Sequence, residues 1–230
     1  MFHWFTWRGK NSLADFGLWI GKLPKFQRAQ ERYANIQIPG RAGSLILLEG
    51  DDVYEDYQLE VTVITRNKNP KIQASLAWLS GDGELCFSNE GDMVHEARIV
   101  NVVEYARIGN DLLQGKIQFL CAPFRKRLHP DKITLTASGT IYNPGDVASR
   151  PIVKITATGD RAITIGGQTM TFANLSGTVV VDCDAGIVTK DGDLWTGSVT
   201  GDFWRIPTGA VAVTLPSSTS IEIQPEWRWK

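Results

Sequence analysis

The sequence predicts an all-β protein with one short helix, arranged as two β-rich modules, and three observations carry that prediction. Apolar and polar residues alternate with period two, most clearly at Tyr57-Gln58-Leu59-Glu60-Val61-Thr62-Val63, as expected of a strand with one buried face. Gly166-Gly167 separates two further alternating runs, Ile163-Thr164-Ile165 and Met170-Thr171-Phe172, and a glycine pair suits a tight hairpin because both residues reach positive φ at little cost. From Ile133 onward no segment has helical periodicity.

Along the chain, Lys25 to Asn35 is the first ambiguous segment. Phe26, Ala29 and Tyr33 recur at helical spacing, yet charges lie on every side, so helix and extended chain are equally compatible. Ile36-Gln37-Ile38 reads as a strand that ends in a sharp turn at Pro39-Gly40-Arg41-Ala42-Gly43. Pro fixes φ, Gly permits a positive one, and Arg41 is presented at the apex. The one expected helix follows Asn69-Pro70: Ile72, Leu76 and Leu79 lie on one face, with Asn69 as N-cap, Pro70 as first residue and Ser80-Gly81 as the stop. Arg98 to Tyr105 and Gly115 to Phe124, joined through Gly109-Asn110-Asp111, predict a long hairpin closing the first module. The boundary falls near Pro130-Asp131, giving an N-terminal domain over 1–130 and a C-terminal domain over 131–230. In the latter, strands are expected around Ile133–Ala137, Val153–Ala157, Val179–Val181, Ala210–Val213 and Ile221–Ile223, spaced as in a β-sandwich. Asn143-Pro144-Gly145-Asp146 is a turn between them, and Pro151 opens the next strand, where its missing N–H does least harm.

Composition narrows the function. Twenty-four Lys and Arg against 25 Asp and Glu leave a net charge of −1, without the positive excess of a dedicated nucleic-acid or anionic-membrane binder. No apolar run approaches the roughly 20 residues that span a bilayer, and the aromatic amino end, Phe2-His3-Trp4-Phe5-Thr6-Trp7, has no export-peptide pattern, so cytoplasmic synthesis is expected. The three cysteines, Cys86, Cys121 and Cys183, are odd in number and widely spaced, which fits buried thiols better than a disulfide framework or a zinc site.

No assembled chemistry is visible. His3, His95 and His129 lack metal-ligand spacing and a neighbouring nucleophile motif, and are expected on the surface or on strands. The acidic runs Glu49-Gly50-Asp51-Asp52, Asp182-Cys183-Asp184 and Asp191-Gly192-Asp193 lack the ligand series of a calcium loop and read as solvated turns. Gly166-Gly167 and Pro39–Ser44 do not stand between a strand and a helix as a phosphate cradle would. Arg125-Lys126-Arg127 reads as a solvated hairpin tip. No catalytic residue, cofactor or metal is therefore assigned, and such a chain is expected to work through its surfaces.

Three groups of residues together resemble the distal tail protein family of long-tailed, non-contractile bacteriophages and related prophages. They are Asn11-Ser12-Leu13-Ala14-Asp15-Phe16-Gly17-Leu18-Trp19; Ile36 to Ser44 with its Pro-Gly-Arg-x-Gly element; and a C-terminal set comprising Thr140 to Asp146, Ser149 to Ile155 and Pro225-Glu226-Trp227-Arg228-Trp229. The resemblance runs through nearly the whole chain in order. It implies a β-sandwich-like, ring-forming belt domain over 1–130 and a galectin-like β-sandwich over 131–230. It implies a homo-oligomer, usually a hexameric ring, at the distal end of the tail in the virion, assembled in the bacterial cytoplasm without membrane insertion.

The implied partners are the tail tube protein, the tail-associated hub or lysin protein, the tape-measure protein and a host-binding protein, with DNA only passing through the lumen. A near-neutral chain suits a passage that must not retain phosphates. Under this reading Pro39, Gly40, Arg41 and Gly43 either shape the fold or form the ring interface, and so do Asn143, Pro144 and Gly145 in the C-terminal domain. The aromatic amino end is expected to pack into its domain or into a subunit seam. The rival reading is a carbohydrate-binding module stacking sugars on Trp227 and Trp229, or on Trp195 and Trp204. A third, hydrolysis of wall glycans by a carboxylate pair, has no pair nominated by the sequence.

Overall fold

The computed structural model describes residues 2–25, 27–50 and 52–230; Phe26 of the ambiguous segment and Asp51 of the first acidic run lie outside the described residues. The chain forms two compact units, Met1–Leu128 with Lys230, and His129–Trp229.

In the first unit the order is β1 (Phe5–Trp7), β2 (Lys10–Asn11), α1 (Ser12–Phe16), β3 (Trp19–Lys22), β4 (Tyr33–Gln37), β5 (Ser44–Leu48), β6 (Tyr57–Arg66), α2 (Ile72–Trp78), β7 (Asp82–Phe87), β8 (Met93–Ile99), β9 (Tyr105–Arg107) and β10 (Leu112–Arg127). The main sheet runs β2-β1-β7-β8-β10-β6-β3, with β9 also on β10. Its two ends meet where the Ile20 amide donates to the His3 carbonyl at 2.8 Å, so the sheet curls round on itself. Alternation explains the filling: Leu59, Val61 and Val63 of β6 are buried, and Val61 and Val63 pair across to Ile117 and Gly115 of β10.

Two rings of the aromatic amino end enter this core, while Phe2 stays exposed. Phe5 and Trp7 are fully buried, and Trp78 stacks on Phe16 at 4.2 Å while its indole N–H donates to the Trp7 carbonyl at 3.1 Å.

The all-β reading holds, with a second helix added. Helix α1 has only 5 residues, fixed by its ends: the Asn11 carboxamide accepts from the Leu13 and Ala14 amides, and Gly17 closes it at φ +65°. Helix α2 begins later than the sequence suggested, at Ile72 behind Lys71. The N-cap position falls on Lys71 rather than Asn69, yet the Asn69 side chain serves the helix start as well: its Oδ1 accepts from the Lys71 amide at 2.9 Å while its Nδ2 donates to the Phe16 carbonyl and to Thr65 Oγ1, tying α1 to β6. Of the ambiguous segment, the described residues carry no helix: 27–30 form no regular element, Glu31 makes a bridge to Tyr54, and β4 begins at Tyr33. The long hairpin is broken over 100–104, where β8 stops and β9 takes over the pairing with β10. Arg125-Lys126-Arg127 is no tip: these residues are partly buried at the end of β10 and pair with Met93 to His95.

The second unit comprises β11 (Ile133–Leu135), β12 (Gly139–Asn143), β13 (Ile152–Ile165), β14 (Gln168–Asp182), β15 (Ile187–Lys190), β16 (Asp193–Leu194), β17 (Val199–Thr200), β18 (Gly209–Thr214) and β19 (Ser220–Gln224). Strands β13 and β14 form one long hairpin across Gly166-Gly167, both at positive φ. Halfway along it the register shifts: Asp160 stands against Ala173 and Asn174, and Asn174 takes φ +56°. A bulge of this kind bends the pair. The first half of β13 then pairs with β19, and its last residues pair with β18, so one hairpin contributes to both layers of a sandwich. The core between them holds Val153, Ile155, Ile163, Ile165, Met170, Phe172, Val179, Val181 and Trp204.

Candidate functional site

Strands β4 and β5 form a sheet of their own. Backbone bonds continue below them, Arg32 to Val53 and Glu55 to Gln30, so the arm runs for about eight residues on each side, roughly 25 Å at about 3.3 Å per residue. Successive residues of a strand face opposite sides, yet in β5 every one is exposed: Leu45 and Leu47 on one face, Ile46 (63%) and Leu48 (57%) on the other. Across the pair, Leu48 stands opposite Tyr33 and Leu45 opposite Ile36. A two-stranded ribbon is at best marginally stable alone in water, and contiguous exposed apolar area of this kind marks an interaction surface.

The tip of the arm is built by its sequence. The Arg41 amide donates to the Ile38 carbonyl at 3.2 Å, closing a turn with Pro39 and Gly40 in its centre. Gly40 at φ +80° occupies the position that such a turn gives to glycine, and Gly43 at φ +81° re-enters β5. Arg41 is exposed between them.

The second turn, Asn143 to Asp146, is anchored inward by its first residue, while Pro144 and Asp146 are exposed. Asn143 is buried and its amide donates to the Val147 and Ile206 carbonyls, while its Oδ1 accepts from the Gly145 amide at 2.8 Å. The Asp146 amide donates to the Arg228 carbonyl, and a side chain at Gly145 would stand 2.4 Å from that oxygen. Pro144 and Gly145 thus sit in a turn that docks against the C-terminal Arg228 segment.

The tryptophans are placed against the sugar-stacking reading. Trp204 is fully buried and Trp227 is 7% exposed, both within the second core, so neither offers a ring face. Trp195 and Trp229 are partly buried against the same core. What directs them inward is tertiary packing, which a count of tryptophans does not encode.

One polar chain was not legible in sequence. His95, buried on β8, has Nε2 at 2.6 Å from the Glu90 carboxylate and Nδ1 at 2.7 Å from the Tyr57 hydroxyl. Burial is the main cause that pushes the Tyr57 hydroxyl well above the ordinary tyrosine range. With a side chain 4% exposed beside one 9% exposed, the pair ties the Ser88–Asp92 loop to the sheet and has no open face. Among the described residues no group of three or more His, Cys, Asp or Glu is placed to hold a metal ion. Cys121 and Cys183 are pushed up to about 12 and Cys86 to about 11, chiefly by burial.

The acidic runs are used structurally. Asp182 accepts from the Asp184 and Ala185 amides, Asp184 pairs with Arg150 and Arg228, and Asp191-Gly192 turns β15 into β16.

An all-β chain of two units, the first carrying a free apolar arm and the second a sandwich built on one bent hairpin, is the class of architecture defined here. Among solved structures, that of the Dit protein (gp 19.1) of SPP1 matches it with a TM-score of 0.74 over 97% of this chain and 98% of that chain, at 14% identity. That protein is described as a paradigm of the hub adsorption apparatus in phages that infect Gram-positive bacteria. The resemblance of motifs to distal tail proteins is therefore met by a likeness of fold. No family model and no curated protein matches the sequence.

Proposed function

We propose that this chain is a structural hub protein of a phage tail, whose copies close into a ring of six. The observation that carries this is the β4–β5 arm, apolar on both faces, which needs cover that its own unit does not give. A neighbouring copy supplies that cover in a heterologous contact, and repetition of such a contact around an axis closes a ring. Arg41 at the rigid tip is suited to a bidentate bond with a carboxylate of the next copy. The fold shared with the SPP1 Dit protein supports the same role. In that role the chain meets the tube on one side, the tail-associated hub or lysin protein and a host-binding device on the other, and the tape-measure protein and passing DNA in its lumen.

The test is solution mass by light scattering with end-on electron micrographs. The wild-type chain should give closed rings of six copies. The double variant Ile46→Asp with Leu48→Asp should keep the wild-type melting temperature and stay monomeric. A wild-type chain that remains solitary at high concentration and fails to enter tail particles would overturn the reading.

A further inference from the structure

At the bend of the second unit lies an open groove of about 470 Å³. Its described lining carries a row of hydroxyl side chains, among them Thr136, Thr156, Thr158, Ser218 and Ser220, and one cation, Arg161, beside Ala157 and Gly177 and with much methyl and backbone surface between the hydroxyls; it contains no aromatic or carboxylate side chain. The register explains the row of hydroxyls. Ser220 pairs with Thr156, and Thr156 with Thr178, so the outward positions of β19, β13 and β14 line up across the sheet while Ala157 turns to the core. Gly177 leaves its part of the groove open, with nothing within 4 Å of where a Cβ would stand.

Arg161 is placed by the bulge. One guanidinium nitrogen donates to the Asp160 carbonyl at 2.8 Å, and the Asp160 carboxylate is engaged by the Asn174 amide rather than by Arg161. Arg161 Nε is buried without a hydrogen-bond partner, a costly condition for a charged group's donor. A second cation, Lys190, is anchored on the carbonyl of Ser176, the cross-strand partner of Thr158.

From this arrangement we infer that the groove binds a polyol carrying one anionic oxygen group, a phosphate or a carboxylate. The anion takes the terminal nitrogens of the Arg161 guanidinium in a bidentate pair, with Nε–H lying beneath the surface. The ligand's hydroxyls exchange hydrogen bonds with the Ser and Thr row, each of which both donates and accepts. Aromatic stacking has no part in it, which separates this site from the tryptophan reading.

The full chain, labelled for amide NMR, is titrated separately with glycerol 1-phosphate, glucuronate, inorganic phosphate, glycerol and glucose. Saturable shifts at Thr156, Thr158, Gly177 and Ser218 to Ser220 are expected with an anionic polyol and not with glycerol or glucose; the first two probes distinguish phosphate from carboxylate. Arg161→Lys keeps the charge but loses the fork, and should weaken binding about tenfold with an unchanged melting temperature. The inference is overturned by no saturation with either anionic polyol, by equal binding of neutral polyols, by inorganic phosphate binding as tightly as the anionic polyols, or by an Arg161→Lys variant that binds like wild type.

Discussion

Gly145→Ala tests whether the Asn143–Asp146 turn is a device of the fold. The new Cβ would lie 2.4 Å from the Arg228 carbonyl oxygen and 3.2 Å from the Arg228 nitrogen, where ordinary contact begins near 3.4 Å. The difference, 3.4 − 2.4 = 1.0 Å, must come from backbone, since the nearest obstructing atom is the Arg228 carbonyl oxygen, and Asn143 Oδ1 stands close as well at 3.0 Å. That displacement breaks the 3.0 Å bond from the Asp146 amide to Arg228 and strains the Asn143 network beneath it. A lost hydrogen bond costs about 1 kcal/mol and overpacking about 1–3 kcal/mol, so the variant should lose about 2–4 kcal/mol. For a chain of this size that is a fall of roughly 5–15 °C in Tm, read by differential scanning calorimetry. Gly167→Ala is the control: its φ of +82° is unfavourable to alanine, but nothing lies within 4 Å, so it should cost only about 1–2 kcal/mol. A Gly145→Ala protein melting within 2 °C of wild type, or Gly167→Ala proving the more damaging, would refute the steric argument.

Trp7→Ala, which empties a fully buried position beside Phe119, should cost about 3–5 kcal/mol in urea unfolding, whereas Phe2→Ala, exposed at the surface, should stay within about 0.5 kcal/mol. Tyr57→Phe removes the hydroxyl that meets His95 Nδ1 and should cost about 1–3 kcal/mol by the same measurement, with the Phe87 and Phe119 packing signals unchanged. The thiols set an alkaline limit. Burial raises Cys121 and Cys183 from 9.0 to about 12, so the stabilisation is complete below pH 9, where both states hold the proton, and is lost as pH rises from 9 towards 12 because the unfolded thiols ionise first. Cys121→Ala should therefore lose less stability than wild type across that interval, and the native thiols should react with a disulfide reagent at pH 8 far more slowly than the unfolded chain.

Much of the fold was legible because alternation and glycine placement act locally. Tyr57 to Val63 and the Gly166-Gly167 hairpin depend on nothing beyond their own residues and came through intact. Helix α1 was missed for a physical reason: 5 residues are too few to show a period, and its evidence lies only in Asn11 before it and Gly17 after it. Asn69 was read only in part, since the helix begins two residues later than Pro70. Its side-chain oxygen accepts from the Lys71 amide just before the helix, as a local rule expects, but its amino group also holds Phe16 and Thr65 from distant parts of the chain, and no local rule anticipates that second use. The tryptophans failed likewise as a surface signal, because Trp204 and Trp227 are directed inward by the sandwich they complete.

The arm shows where alternation itself runs out. Leu45-Ile46-Leu47-Leu48 is a continuous apolar run, which in a single chain indicates a strand buried on both faces. Here the strand exists and the burial does not. Under the ring proposed above pattern and environment agree, because a neighbouring copy would cover both faces, whereas an uncovered ribbon of this composition would invite uncontrolled pairing. The Pro39-Gly40 turn fixes the arm's length and register, so every copy presents the same apolar faces at the same reach. A fixed reach with two adhesive faces favours one repeated contact over many, and a single repeated heterologous contact is the condition for a ring to close rather than for a heap to form.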